Sequence, residues 1–138
     1  EIGGIAVSKR LFREILAQTN PIAFEIVGSE VGRENISYAF ELLGLDYSID
    51  SLEWFMKEVL QAWGWFKVQH SRSEYNYELK LFHHYGPRWS SFLKSYLGSA
   101  LELINEKGPE FTLSDKVVKL TFPIRKDVET SERIFTEN

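Results

Sequence analysis

A chain of 138 residues with 43% hydrophobic and 26% charged side chains has the size and composition of one globular domain, large enough to bury a core. Its formal charge is −4 and no basic run exceeds two residues, which argues against a dedicated nucleic-acid surface. The absence of cysteine excludes disulfides, thiolate catalysis and cysteine-ligated metal sites, and no stretch has the length and apolarity of a membrane span or a signal sequence.

The chain opens EIGGIAVS without a methionine, and is read as a fragment or as a chain whose start is missing. Ser8 is placed to cap a first helix with Leu11, Phe12, Ile15 and Leu16 on its apolar face. Asn20-Pro21 marks the start of a second, which carries Ile22, Ile26, Val27 and Val31. Gly28 and Gly32, four apart, either admit a closely packed neighbour or weaken the helix. From Glu34 to Leu43 the pattern resumes, and Gly44 supplies a stop. The spacing of Leu52, Phe55, Met56, Val59, Leu60 and Trp63 predicts a third helix over residues 51 to 63, with Asp50 and Glu53 as a capping-box-like pair.

After Gly64 the period changes from 3.6 to 2. WFKVQHS (65 to 71) and YELKLFHH (77 to 84) read as a β-hairpin, with Phe66, Val68 and His70 on one face and Tyr77, Leu79, Leu81 and His83 on the matching one. Gly86-Pro87 then opens a helix over 88 to 105, whose stripe runs from Trp89 to Ile104 and ends at Gly108-Pro109. EFTL and KVVKLTFPI form a second hairpin with Val118, Leu120 and Phe122 inward. The expected fold is α+β: a helical N-terminal half followed by an antiparallel ββαββ sheet with one long helix packed on it. Residues 1–124 form a single domain, and 125–138 are a charged tail.

Chemistry concentrates in LFHHYGPRWSSFL. His83 shares a face with Leu79 and Leu81 while His84 points the other way, so the pair cannot ligate one metal without distortion. One possibility is an anion seat at the helix start, made from the Trp89 and Ser90 amides with Arg88 and a histidine. The other is an ordinary strand-to-helix corner. Ten of the twenty aromatic residues fall between Trp54 and Trp89, and Trp54, Trp63, Trp65 and Trp89 either pack as core or line an apolar ligand pocket between the third helix and the sheet. Candidate ligand-binding residues are therefore His83, His84, Arg88, Trp89, Ser90, Trp63 and Trp65. No catalytic or metal-binding set is assigned, and the cofactor is unknown.

LFREIL, FEIVGSEVGRENISYAFELLGL, SLEWFMKEVLQAWGWF and LFHHYGPRWSSFLKSYL together resemble a family of small archaeal proteins without an established activity, over residues 9 to 124. Some members of that family carry a ribbon-helix-helix DNA-binding start. Here only IAVS precedes the first helix, and the basic strand of such a start is missing. The order of helices and strands is also similar to the ligand-binding domains of the haem-nitric-oxide/vinyl-reductase/vesicle-transport superfamily, although their tyrosine–serine–arginine haem anchor is not present. These resemblances imply an archaeal cytoplasmic domain that senses a small apolar or anionic ligand, or dimerises, in a regulatory setting. Homodimers are the commonest assembly, and nucleic acid and membrane are not expected partners of this segment. The rival expectations are an enzyme using His83, His84 and Arg88, and a DNA-binding regulator whose basic segment lies upstream.

Overall fold

The computed structural model describes residues 8–124; the tail expected over 125–138 and the residues before Ser8 lie outside them. Ser8 has extended backbone, and its Oγ accepts the Leu11 amide at 3.1 Å to open α1 (Lys9–Gln18). Asn20 opens α2 (Pro21–Leu43), its Oδ1 accepting the Ile22 and Ala23 amides at 2.9 and 3.3 Å. Pro21 occupies the first turn, where a missing N–H is harmless. A 23-residue helix then runs unbroken through both glycines. Their role is close approach: a Cβ at Gly28 would lie 2.9 Å from the Phe92 carbonyl, and one at Gly32 2.7 Å from that of Tyr96. Both oxygens belong to α4 (Pro87–Leu103).

This packing reverses one expectation. α2 meets α4 at Gly28 and Gly32, which with Ile36, Ala39 and Phe40 are its buried residues. At about 100° per residue, Ile26 lies roughly on the opposite side of the helix from Gly28. Ile22, Ile26 and Val27 are accordingly exposed, and so are Leu11 and Ile15 of α1. From these two helix starts only Leu16 is fully buried, with Phe12 and Phe24 packed against the core margin.

The third helix is also shifted. Its cap is Ser48, whose Oγ accepts the Ser51 amide at 3.2 Å, and α3 covers Ile49–Phe55. Because the hydroxyl already serves that amide, Asp50 and Glu53 sit inside the helix and reach β1 instead of capping. The helix continues into a π-helical turn, Met56–Leu60, with Gln61 N–H on the Met56 carbonyl at 2.8 Å and Trp65 N–H on that of Leu60 at 3.1 Å. It ends before Trp63.

Four strands follow: β1 (Lys67–Arg72), β2 (Asn76–Phe82), β3 (Glu110–Leu113) and β4 (Val117–Pro123), all antiparallel in the order β1-β2-β4-β3. The predicted face pattern holds in the register. Val68 pairs with Leu81, His70 with Leu79, Leu79 with Leu120 and Tyr77 with Phe122. Tyr77, Leu79, Leu81, Val118, Leu120 and Phe122 bury this face in the core that α4 closes with Leu93, Leu97, Ala100 and Leu101. β2 stops at Phe82, so His83 and His84 belong to the connection into α4 and not to the strand.

Candidate functional site

The corner 83–90 is held by a hydrogen-bond network that fixes its chemistry. Gly86, at φ 90° and ψ −178°, adopts backbone geometry that essentially only glycine reaches, and this turns the chain from β2 into α4. His83 is 3% exposed. Its Nδ1 accepts the Tyr85 amide at 3.1 Å, so in the neutral ring the proton sits on Nε2 and is donated to Ser90 Oγ at 2.8 Å. Ser90 Oγ in turn donates to the Ser114 carbonyl at 2.6 Å, and the His83 amide donates to Lys116 O at 2.9 Å. A serine activated by histidine must donate to the imidazole. Here the direction is reversed, and the pair ties the end of β2 and the start of α4 to the β3–β4 turn. Burial, with a smaller contribution from His84, lowers the His83 pKa to about 4.

The other polar members of the corner point toward α1. Arg88 Nε donates to Thr19 O at 2.9 Å, and Arg13 Nε donates to His84 O at 3.2 Å. Phe12 meets the rings of Tyr85 and Trp89 edge-on, with centroids 5.0 and 5.1 Å apart. Of the groups considered for an anion seat, Arg88 is turned to the α1–α2 joint and the Ser90 amide donates to Gly86 O at 3.3 Å. His83 faces inward, and the His84 side chain is exposed. The structure brings His83 and Ser90 together but does not converge them with His84 and Arg88 on one point.

The tryptophans divide in the same way. Trp89 stacks on Phe92 at 4.7 Å and donates its Nε1–H to Trp65 O at 2.9 Å. Trp65 lies edge-on to Trp89, Phe92 and Tyr96. Trp63 is 43% exposed and touches this group through Trp65, at 6.4 Å. An open groove of about 540 Å³ lies elsewhere, where Ser29 of α2, Lys94, Ser95, Gly98 and Ser99 of α4, and Phe111 of β3 line its walls. None of the sequence-predicted site residues faces it.

One polar cluster escaped the sequence reading. Glu53, its side chain 14% exposed, accepts from Arg72 at 2.9 Å and pairs with His70 at 3.2 Å, while Asp50 holds the same Arg72 nitrogen at 3.1 Å. Arg72 lies 5.4 Å over the ring of Tyr77. The Tyr77 hydroxyl is buried without a hydrogen-bond partner, and burial together with the nearby Glu53 charge raises its pKa. The signal was present: carboxylates three apart on a helix and two cationic residues two apart on a strand each share a face. Among the described residues no group of three or more His, Asp or Glu is arranged to hold a metal ion, and no helix is long and apolar enough to cross a membrane.

Exposed aliphatic side chains also occur on the N-terminal helices. Leu11 and Ile15 of α1 are 51% and 49% exposed, and Ile22 and Ile26 of α2 are 71% and 56% exposed. Each pair is spaced i, i+4, so each forms a stripe on its helix. Comparison with protein-family models, with curated proteins and with solved structures gives no match.

Proposed function

We propose that the protein is a non-enzymatic association domain, working as a homodimer through the exposed apolar face of α1 and the start of α2. The observation that carries this reading is the pair of stripes Leu11/Ile15 and Ile22/Ile26, exposed on consecutive helices joined by Thr19 and Asn20. Single exposed aliphatics are ordinary, whereas grouped ones mark a surface that gains from leaving water. The corner at 83–90 supports the same reading, because its histidine–serine bond runs the wrong way for a nucleophile and its arginine positions a helix joint. The test is sedimentation of the 138-residue chain from low to high micromolar concentration, beside Ile22→Asp/Ile26→Asp. The wild type is expected to be a dimer and the variant a monomer with an unchanged circular-dichroism spectrum, since both side chains are exposed in the protomer; its melting temperature falls only by the stabilisation that association adds. A monomeric wild type, or a variant that still dimerises, overturns the proposal.

A further inference from the structure

The two edges of the sheet are finished differently. At the β3–β4 turn the Ser114 amide donates to Val117 O at 2.9 Å, and the register then pairs Thr112 with Lys119 and Glu110 with Thr121. Ladder hydrogen bonds alternate along an antiparallel strand, so Glu110, Thr112 and Ser114 turn their peptide groups to β4, while Phe111 and Leu113 turn theirs outward. On β1 the same alternation leaves Val68 facing out, and there the Gln61 side chain takes the Val68 amide at 2.7 Å. Among the described residues no group takes the Phe111 or the Leu113 amide. Glu110, Thr112 and Leu113 are exposed, and β3 contains no proline. An unblunted edge of this kind is a template for a further strand.

The groove of about 540 Å³ adjoins this edge, lined by Phe111 of β3 and by Lys94, Ser95 and Gly98 of α4. A Cβ at Gly98 would meet nothing within 4 Å, so the helix wall is open there. On a strand added to β3, the residue opposite Phe111 projects to the same face as Phe111, and so into the groove. Lys94 Nζ stands 5.8 Å over the Phe111 ring, and among the described residues Lys94 has no ion pair. Of the carboxylates in the lining, Glu102 is held by Arg33 at 3.0 Å, and Glu106 follows the end of α4, next to Lys107. The residue opposite Phe111 therefore meets an ammonium group without a carboxylate partner. The residue two before it, opposite Leu113, meets a leucine that is 37% exposed. We propose that the free edge of β3 and the groove beside it bind an extended acidic peptide of a partner protein, added antiparallel to β3 with an aliphatic side chain on Leu113 and a carboxylate at Lys94. This surface uses neither the α1 stripe nor Ile22 and Ile26, so it stands or falls apart from the association reading.

The probe is the blocked peptide acetyl-Thr-Val-Thr-Glu-Thr-amide, titrated into the isotope-labelled full chain and followed by NMR. Saturable shifts are expected at the Phe111 and Leu113 amides and none at the Val68 amide. Gly98→Leu fills the open wall and replaces a poor helix former, so it is expected to melt no lower than wild type and to lose the saturable shifts. Exchanging the probe's Glu for Lys is expected to weaken binding about fivefold, the scale of one exposed ion pair. Lys94→Glu is expected to reverse that preference, so that the Lys probe binds the tighter. A wild type whose Phe111 and Leu113 amides do not saturate overturns the proposal, as does a folded Gly98→Leu that binds unchanged. A probe preference that Lys94→Glu does not reverse overturns the acidic assignment. Phe111 and Leu113 amides already protected from hydrogen exchange in the free chain, or shifting with protein concentration without the probe, mean that the chain itself or a second copy holds the edge, and also overturn it.

Discussion

His83 makes the fold sensitive to acid in a calculable way. In the unfolded chain the imidazole titrates near its ordinary value of 6.5, while in the fold burial lowers its pKa to about 4. Between these values the unfolded state binds a proton that the native state does not, so stability rises with pH there. The contribution is therefore complete above about pH 6.5, falls as pH drops through the window, and is gone below about 4. A difference of 6.5 minus 4 at 1.36 kcal/mol per unit is about 3 kcal/mol. Burial is the main cause, and the geometry agrees with it: a protonated ring would turn Nδ1 into a donor facing the Tyr85 amide, itself a donor 3.1 Å away. His83→Gln removes the titration. Urea melts of both proteins at half-unit steps from pH 4 to 7 are expected to show the wild type losing the extra 3 kcal/mol or so relative to the variant, with the variant less stable at pH 7. Effects common to both proteins cancel in the difference. Parallel pH profiles for wild type and variant would refute the reasoning.

Gly32→Ala is expected to destabilise by about 2 kcal/mol, because the new methyl meets the Tyr96 backbone at 2.7 Å and the overpacking cost exceeds the roughly 1 kcal/mol gained in helix propensity; a thermal melt at or above the wild-type midpoint would contradict this. Leu97→Ala, at a position of α4 only 1% exposed, is expected to cost about 2–5 kcal/mol by denaturant melt. A loss within about 0.5 kcal/mol, the size of a surface substitution, would mean that α4 does not pack as described.

The α+β order was legible because period and punctuation agree after Gly64: alternation marks Tyr77, Leu79 and Leu81, and Gly86-Pro87 and Gly108-Pro109 bracket α4. What the sequence hid were choices between equivalent local options. Ser48 and Asp50 are both good caps, and only the chain's path after Leu45 selects the serine. The stripe Ile22/Ile26 and the line Gly28/Gly32 lie on different sides of α2, and apolar periodicity favours the larger residues. The glycine line faces α4, whose backbone comes too close at Gly28 and Gly32 for any side chain. The histidines were visible as residues, but the sense of the His83–Ser90 bond depends on the Tyr85 amide and the Ser114 carbonyl, the second of them 24 residues away from Ser90. The cluster of Asp50, Glu53, His70 and Arg72 was visible only as separate local patterns, because their convergence requires β1 to lie beside α3.

The most chemical-looking stretch and the least remarkable one prove to be mechanically joined. The relation between the two apolar stripes depends on the angle between α1 and α2, since Leu11 and Ile15 ride on one helix and Ile22 and Ile26 on the other. Ten residues of helix with one fully buried side chain cannot set that angle alone. It is set from the corner: Phe12 rests on Tyr85 and Trp89, Arg13 on the His84 carbonyl, and Arg88 on the carbonyl at the α1–α2 joint. Those partners are in turn positioned by the buried neutral His83, which holds the Tyr85 amide on one side and Ser90 on the other. The histidine, serine and arginine of this corner thus bear on the placement of a helix whose exposed side chains include the aliphatic Leu11 and Ile15.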